Sequence, residues 1–181
     1  MKKFVMTCFF AFLLWFSLAA FADEPFSLEV GTGHIWTGSG NYMATLDKAE
    51  WQYSLAAGME LTERHNLTLG VAHDGVKVTT WMQRHNFMDS VPEMHHYTAV
   101  DLLYGYTLNP NDKAKVTLEL GPTWYRAGDL DKAGITAGAV LKYPLATRLY
   151  ASVALRFRHV QDFIVPVANV VETRFALGFR F

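Results

Sequence analysis

The stretch ETRFALGFRF, residues 172–181, alternates without a break up to the last residue of the sequence. Phe175, Leu177, Phe179 and Phe181 fall on one parity, and Arg174, Ala176, Gly178 and Arg180 fall on the other. A period of two is the pattern of a strand with two unlike faces. Chain ends ordinarily fray, because ordering the last residues costs more backbone entropy than their burial returns. A terminus that reads as a finished strand is therefore expected to close a sheet.

Working back along the chain, seven further segments carry the same period. Phe26, Leu28 and Val30 oppose Ser27, Glu29, Gly31 and Gly33; Trp51, Tyr53, Leu55, Ala57, Met59 and Leu61 oppose Gln52, Ser54, Gly58 and Glu60. Leu67, Leu69 and Val71 stand against Thr68, Gly70 and Ala72, and Val100, Leu102, Tyr104, Tyr106 and Leu108 against Asp101, Gly105 and Thr107. The remaining three run through Val116–Gly121, Ile135–Tyr143 and Arg148–Arg158. Eight strands result. Their connections alternate: tight turns at 62–66, 109–112 and 143–147, and longer loops at 37–48, 81–95 and 161–169, with 127–132 the shortest of the second set.

Short turns on one rim and long loops on the other define an all-β, eight-stranded antiparallel up-and-down β-barrel that crosses a membrane. A soluble barrel is the competing fold, with its apolar parity inside and its polar parity in water. Here the polar parity is mostly glycine, serine, threonine and alanine, which suits a lumen only wide enough for side chains. The apolar parity ends in aromatic residues. Phe26, Tyr104, Tyr106, Tyr143, Phe179 and Phe181 gather at the short-turn rim, and Trp36, Trp51, Tyr53 and Trp124 at the other. Two aromatic girdles around an aliphatic band match a bilayer and explain the aromatic content of 14%. The polar parity also carries Glu29, Glu60, Asp101, Glu119, Lys142, Arg156, Arg158, Glu172, Arg174 and Arg180, expected to pair as a plug, because lone charges there would be prohibitively costly.

In layout, and in the terminal RFALGFRF of residues 174–181, the chain resembles the small eight-stranded outer-membrane proteins of Gram-negative bacteria: the OmpA transmembrane domain, the OmpX type, and the lipid A palmitoyltransferase and deacylase barrels. The resemblance implies that the terminal strand ending in Phe181 is read by the barrel-insertion machinery. A monomer in contact with outer-membrane lipid and lipopolysaccharide is expected.

At the other end, Lys2 and Lys3 precede an apolar run that finishes on Ala20, Phe21 and Ala22, the small-x-small pattern of a secretory signal peptide. Residues 1–22 are expected to be removed, leaving 23–181 as one barrel domain. The single cysteine, Cys8, leaves with the signal. Fourteen basic residues then face 17 acidic ones, a net of −3, and no basic run points to nucleic acid.

With the mature N-terminus on the periplasmic side, His34, His73, His85, His95, His96 and His159 reach the extracellular end, and His65 lies in a periplasmic turn. His34, Trp36, His96, Trp124 and Arg126 form the expected outer rim, placed to meet lipopolysaccharide phosphates and sugars, with His73 and His159 on the same parity. The primary reading is a non-catalytic barrel with a structural or surface-binding role. The alternative is a lipid A-modifying enzyme in which His159 with Asp162, or His73 with Asp74, acts beside a hydroxyl such as Ser39 or Ser90. Two departures weigh against it. The deacylases carry His-x-Ser where this chain has His159, Val160 and Gln161, and the palmitoyltransferase begins with an amphipathic helix. A zinc site from His85, Glu93, His95 and His96 lacks motif spacing, so no metal and no cofactor is expected. The stretch WMQRHNFMDSVPEMHH, residues 81–96, is expected to be a long loop able to carry a binding function.

Overall fold

A computed structural model describes residues 26–37, 44–49, 51–84, 87–127, 130–160 and 169–181, with side chains described at 26–35, 51–73, 96–126, 131–160 and 169–181. The expected signal segment and Asp162 lie outside the described residues. Nine strand segments run in chain order: β1 (Phe26–Thr37), β2 (Ala44–Ala49), β3 (Trp51–Glu60), β4 (His65–Arg84), β5 (Phe87–Thr107), β6 (Lys115–Ala127), β7 (Leu130–Pro144), β8 (Leu149–Val160) and β9 (Asn169–Arg180). Segments β2 and β3 lie on the same edge of β4 and form two sections of one stave. Tyr53 pairs with His73 and Ala49 with Val76, so the register slips by one residue between the two sections.

Every neighbouring pair is antiparallel, and the order β1, β3, β4, β5, β6, β7, β8, β9 returns to β1. The result is a closed, eight-stranded β-barrel. The terminal stretch makes the closure: β9 pairs with β1 from Ser27↔Arg180 to Thr37↔Val170. Beyond the last pair, the Phe181 amide donates to the Phe26 carbonyl at 2.9 Å.

The wall faces opposite ways on its two parities. Val30, Leu55, Leu120, Leu141, Leu155, Phe175 and Leu177 are exposed on the outside, while Glu29, Asp101, Glu119, Arg156, Arg158, Glu172 and Arg174 are buried within. A soluble barrel would reverse this. Closure satisfies the backbone groups that hydrocarbon leaves without partners, so an apolar exterior on a closed barrel is a membrane surface. Phe26 departs from the expected girdle: it is covered, packing with Ala57 and Leu28, and its ring lies 5.7 Å from that of Phe181.

Inside, the expected charges are joined in ion pairs. At the short-turn end Arg180 meets Glu60 at 3.3 Å, and Glu29 receives Lys142 at 3.0 Å with Arg174 at 3.8 Å. In the middle Arg156 donates through Nε and Nη2 to Glu119 Oε2 at 2.9 and 2.6 Å. Higher still, Arg158 spans the lumen, donating to Asp101 at 2.5 Å and to Glu172, which also accepts from Gln52 at 2.9 Å.

Glycines make these reaches possible. Glu119, Gly138 and Arg156 are consecutive partners across three staves, and Arg156 lies over Gly138, where a Cβ would come within 2.7 Å of its Cγ. The same device repeats with Glu29, Gly178 and Tyr150, whose hydroxyl crosses Gly178 to donate to Glu29 at 2.8 Å. Above the charges the inner face turns apolar: Ile35, Tyr97, Tyr125, Val160 and Val170 are buried at the long-loop end. The period-two reading gives an inward parity that is only small and charged, and does not contain this layer.

The expected 81–95 loop is corrected. Segments β4 and β5 continue as one antiparallel ribbon to Arg84↔Phe87, so residues 81–84 and 87–95 are strand. At 20 and 21 residues these arms greatly exceed the ~9–11 that cross a bilayer. Outside the membrane neither face of a ribbon must be apolar, so its sequence loses the alternation that marks a strand. Val76, Val78, Thr79, Thr80 and Val91 supply β-propensity instead.

Removing one partner of a buried pair strands the other. Glu119→Ala is expected to lower folded-state stability by ~3–5 kcal/mol. Glu119→Gln, which keeps an acceptor for Arg156, loses less. Heat-unfolding midpoints of the detergent-folded barrel check both.

Candidate functional site

The long-loop rim is built by register. Thr32, Tyr53, His73, Thr98, Arg126 and Asp131 are successive cross-strand partners over six adjacent staves, all on the outward parity. His34 and Trp51 are partners one step higher, their rings 6.5 Å apart and edge-on. His96 stacks on His73 with centroids 5.9 Å apart and planes 5° from parallel, and His73 Nδ1 lies 3.3 Å from the Thr98 hydroxyl. Trp51, Tyr53 and Trp124 are 64%, 67% and 45% exposed. Arg126 is partly covered, with Nε 3.7 Å from Asp131.

Of the expected rim residues, His34, His96, Trp124 and Arg126 therefore gather on one side of the barrel together with His73. The backbone of Trp36 continues the same stave, opposite Val171. The arrangement presents imidazoles, indoles, a phenol and a guanidinium from staves β1 to β6 on one continuous arc. Such groups can stack on sugar faces and donate to phosphate or sulfate oxygens. Residue order places Trp51 and Tyr53 only in the girdle; their pairing with His34 and His73 depends on register between strands.

His159 stands apart. It lies on β8, four staves from the β4 position of His73 in either direction around the ring, so the two candidate catalytic histidines sit on opposite sides of the barrel. Its Nδ1 is 2.8 Å from Asn169 Oδ1, which fits a tautomer with the proton on Nδ1. The partner is an amide, not a carboxylate. Among the described residues no group of three or more His, Cys, Asp or Glu is arranged to hold a metal ion. The side chains of Asp74, His85, Ser90, Glu93 and His95, and residue Ser39, lie outside those described.

The opposite rim has its own aromatic anchor. His65, at the start of β4, packs between Tyr104 and Tyr106 at centroid distances of 5.7 and 5.3 Å and hydrogen-bonds the Tyr104 hydroxyl. Arg64 donates to the Tyr106 hydroxyl at 3.0 Å. A turn histidine next to a strand gives no sign of this contact, because its partners are about 40 residues away.

The closed antiparallel wall, apolar outer band and charged lumen define an outer-membrane-type eight-stranded β-barrel. Among solved structures it is similar to a major outer membrane protein from Thermus thermophilus, at a TM-score of 0.66 and 14% identity, covering 88% of this chain and 100% of that one. It is likewise similar to OprG from Pseudomonas aeruginosa, at a TM-score of 0.64 and 13% identity, covering 87% and 96%. The attachment invasion locus protein Ail of Yersinia pestis, in complex with the heparin analogue sucrose octasulfate, matches at a TM-score of 0.60 and 15% identity, covering 88% and 100%. At these identities the likeness is one of fold. No family model and no curated protein sequence matches the chain.

Indole rings at a membrane boundary sit at the level of the headgroups. A variant retaining Trp124 as its only tryptophan is expected to be quenched strongly by lipids brominated near the carbonyl end and weakly by lipids brominated near the chain end. Depth-dependent fluorescence quenching in reconstituted vesicles measures this.

Proposed function

We propose that the chain is a surface-binding barrel of the bacterial outer membrane, with the long-loop rim outside and the arc from His34 to Arg126 engaging phosphate and sugar groups of lipopolysaccharide or of an external anionic glycan. The observation that carries this reading is the placement of His34, Trp51, Tyr53, His73, His96, Trp124 and Arg126 on adjacent staves, at the level where an apolar wall gives way to polar groups. Lipid A presents acyl chains to such a wall and phosphates just above it. Support for sulfated sugar as an alternative ligand class comes from the Ail complex, in which a barrel of this fold holds a heparin analogue.

Titrating lipopolysaccharide into the barrel in lipid-free micelles tests the reading. The combined variant His73→Ala, His96→Ala, Arg126→Ala is expected to bind at least about tenfold more weakly, the loss of roughly one charge-assisted contact. Unchanged affinity in that variant overturns the reading. Lipid A mass spectrometry on cells with and without the protein addresses the enzymatic alternative, since a mass change equal to one acyl chain, lost in His159→Ala, would establish hydrolysis or transfer.

Export by residues 1–22, action of the barrel as a monomer, and delivery to the insertion machinery through the last strand belong to the same proposal. Phe181 sits exposed at the seam, its ring 5.2 Å from that of Phe179, where a receptor could read it. Deleting Phe181 is expected to reduce the amount of folded protein in outer-membrane fractions severalfold. Normal levels, scored by the heat-dependent gel shift of the folded form, would count against the address.

A further inference from the structure

At the short-turn mouth, the end opposite the histidine rim, four cations, Lys113, Lys115, Lys142 and Arg180, line one cavity with a single carboxylate, Asp112. Lys115 on β6 and Lys142 on β7 are direct cross-strand partners on the inward parity. Like charges placed opposite one another in a sheet are destabilising. Lys142 is held by Glu29 at 3.0 Å, but that carboxylate already accepts from Tyr150 and Ser152 and faces Arg174 as well. Among the described residues Lys115 makes no ion pair. Arg180 belongs to Glu60, and Lys113, in the turn before β6, lies 5.1 Å above the Tyr143 ring.

These groups surround a space. A cavity of about 110 Å³ is lined by Asp112, Lys113, Lys115, Lys142, Tyr150 and Arg180, together with Pro144. The Tyr150 ring lines it too, with Lys142 and Arg180 each 5.3 Å from the ring centre. Asp112 is the acidic member of the lining and is engaged by the Asn109 amide at 2.9 Å. Glu63 lies on the adjoining crevice of the same mouth.

We infer that this mouth is an anion site, in which a phosphate group is bridged by Lys115, Lys142 and Arg180 with Lys113 at its edge. An anion between Lys115 and Lys142 turns a repulsive cross-strand pair into two attractive contacts. The volume suits one phosphate-sized group and excludes a polymer. That group is either free phosphate or the head of a phospholipid in the leaflet on the short-turn side, since Lys113 and Tyr143 connect the mouth to the lipid-facing girdle. The inference does not rest on the binding role proposed for the other rim.

The test uses the whole barrel in maltoside micelles at constant ionic strength, with inorganic phosphate and dimyristoylphosphatidylglycerol as separate probes. Each probe that binds is expected to raise the heat-unfolding midpoint by about 3 °C when present well above its dissociation constant. A response to inorganic phosphate identifies a solute site, and a response confined to the phospholipid identifies a headgroup site. In Lys115→Met the response is expected to vanish while the anion-free midpoint stays the same or rises, because the repulsion is gone. Lys115→Arg restores the response, and Lys132→Met, at the other end of β7, leaves it intact. A wild-type midpoint unmoved by both probes, or a response that persists in Lys115→Met, overturns the inference. A lowered anion-free midpoint in Lys115→Met with the response retained would assign the lysine a purely structural part and overturn it equally.

Discussion

The hydrogen-bonded seam between β1 and β9 is the constraint on which the rest of the structure depends. In hydrocarbon each unpaired backbone group costs several kcal/mol, so a sheet that spans a membrane must leave no edge. Here the first and last strands of the barrel meet from Ser27↔Arg180 to Thr37↔Val170, and Phe181 adds a final bond to Phe26. Closure at eight staves then decides the lumen: too narrow for a wide aqueous pore, wide enough for one layer of side chains from each wall.

Within that lumen the charges are arranged as stacked bridges. Two of them cross from one stave to another over a position that carries no side chain, so Gly138 beneath Arg156 and Gly178 beneath Tyr150 are as much a part of the network as Glu119 and Glu29. Buried pairs of this kind bring little net stabilisation when formed but are costly to break. Toward the long-loop end of the staves the inner parity carries the buried side chains of Ile35, Tyr97, Tyr125, Val160 and Val170.

The two rims are unlike because their chemistry comes from different sources. At the long-loop end, imidazoles and indoles sit on the outward parity of adjacent staves and face the surroundings. The short-turn mouth instead gathers its cations on the inward parity of β6, β7 and β9 around Tyr150. One barrel thus carries an external arc at one end and an open, cation-lined cavity at the other.

Much of this is legible in one dimension. Alternation is local, and a strand between lipid and lumen must alternate, so the eight staves, the short turns, the inward charges and the aromatic ends can all be read from residue order. Where that pressure stops, the pattern is no longer required: the β4–β5 ribbon runs beyond the membrane, and residues 81–95 read as a loop. Pairing between strands is also out of reach. That His73 stacks on His96 and lies opposite His159, that Arg158 joins Asp101 to Glu172, and that Lys115 faces Lys142 are all consequences of register and closure. The sequence by itself determined a membrane barrel and which charged side chains point into it. Only the tertiary structure decided which of them meet, because contacts between residues tens of positions apart are set by how the sheet closes and not by any local pattern.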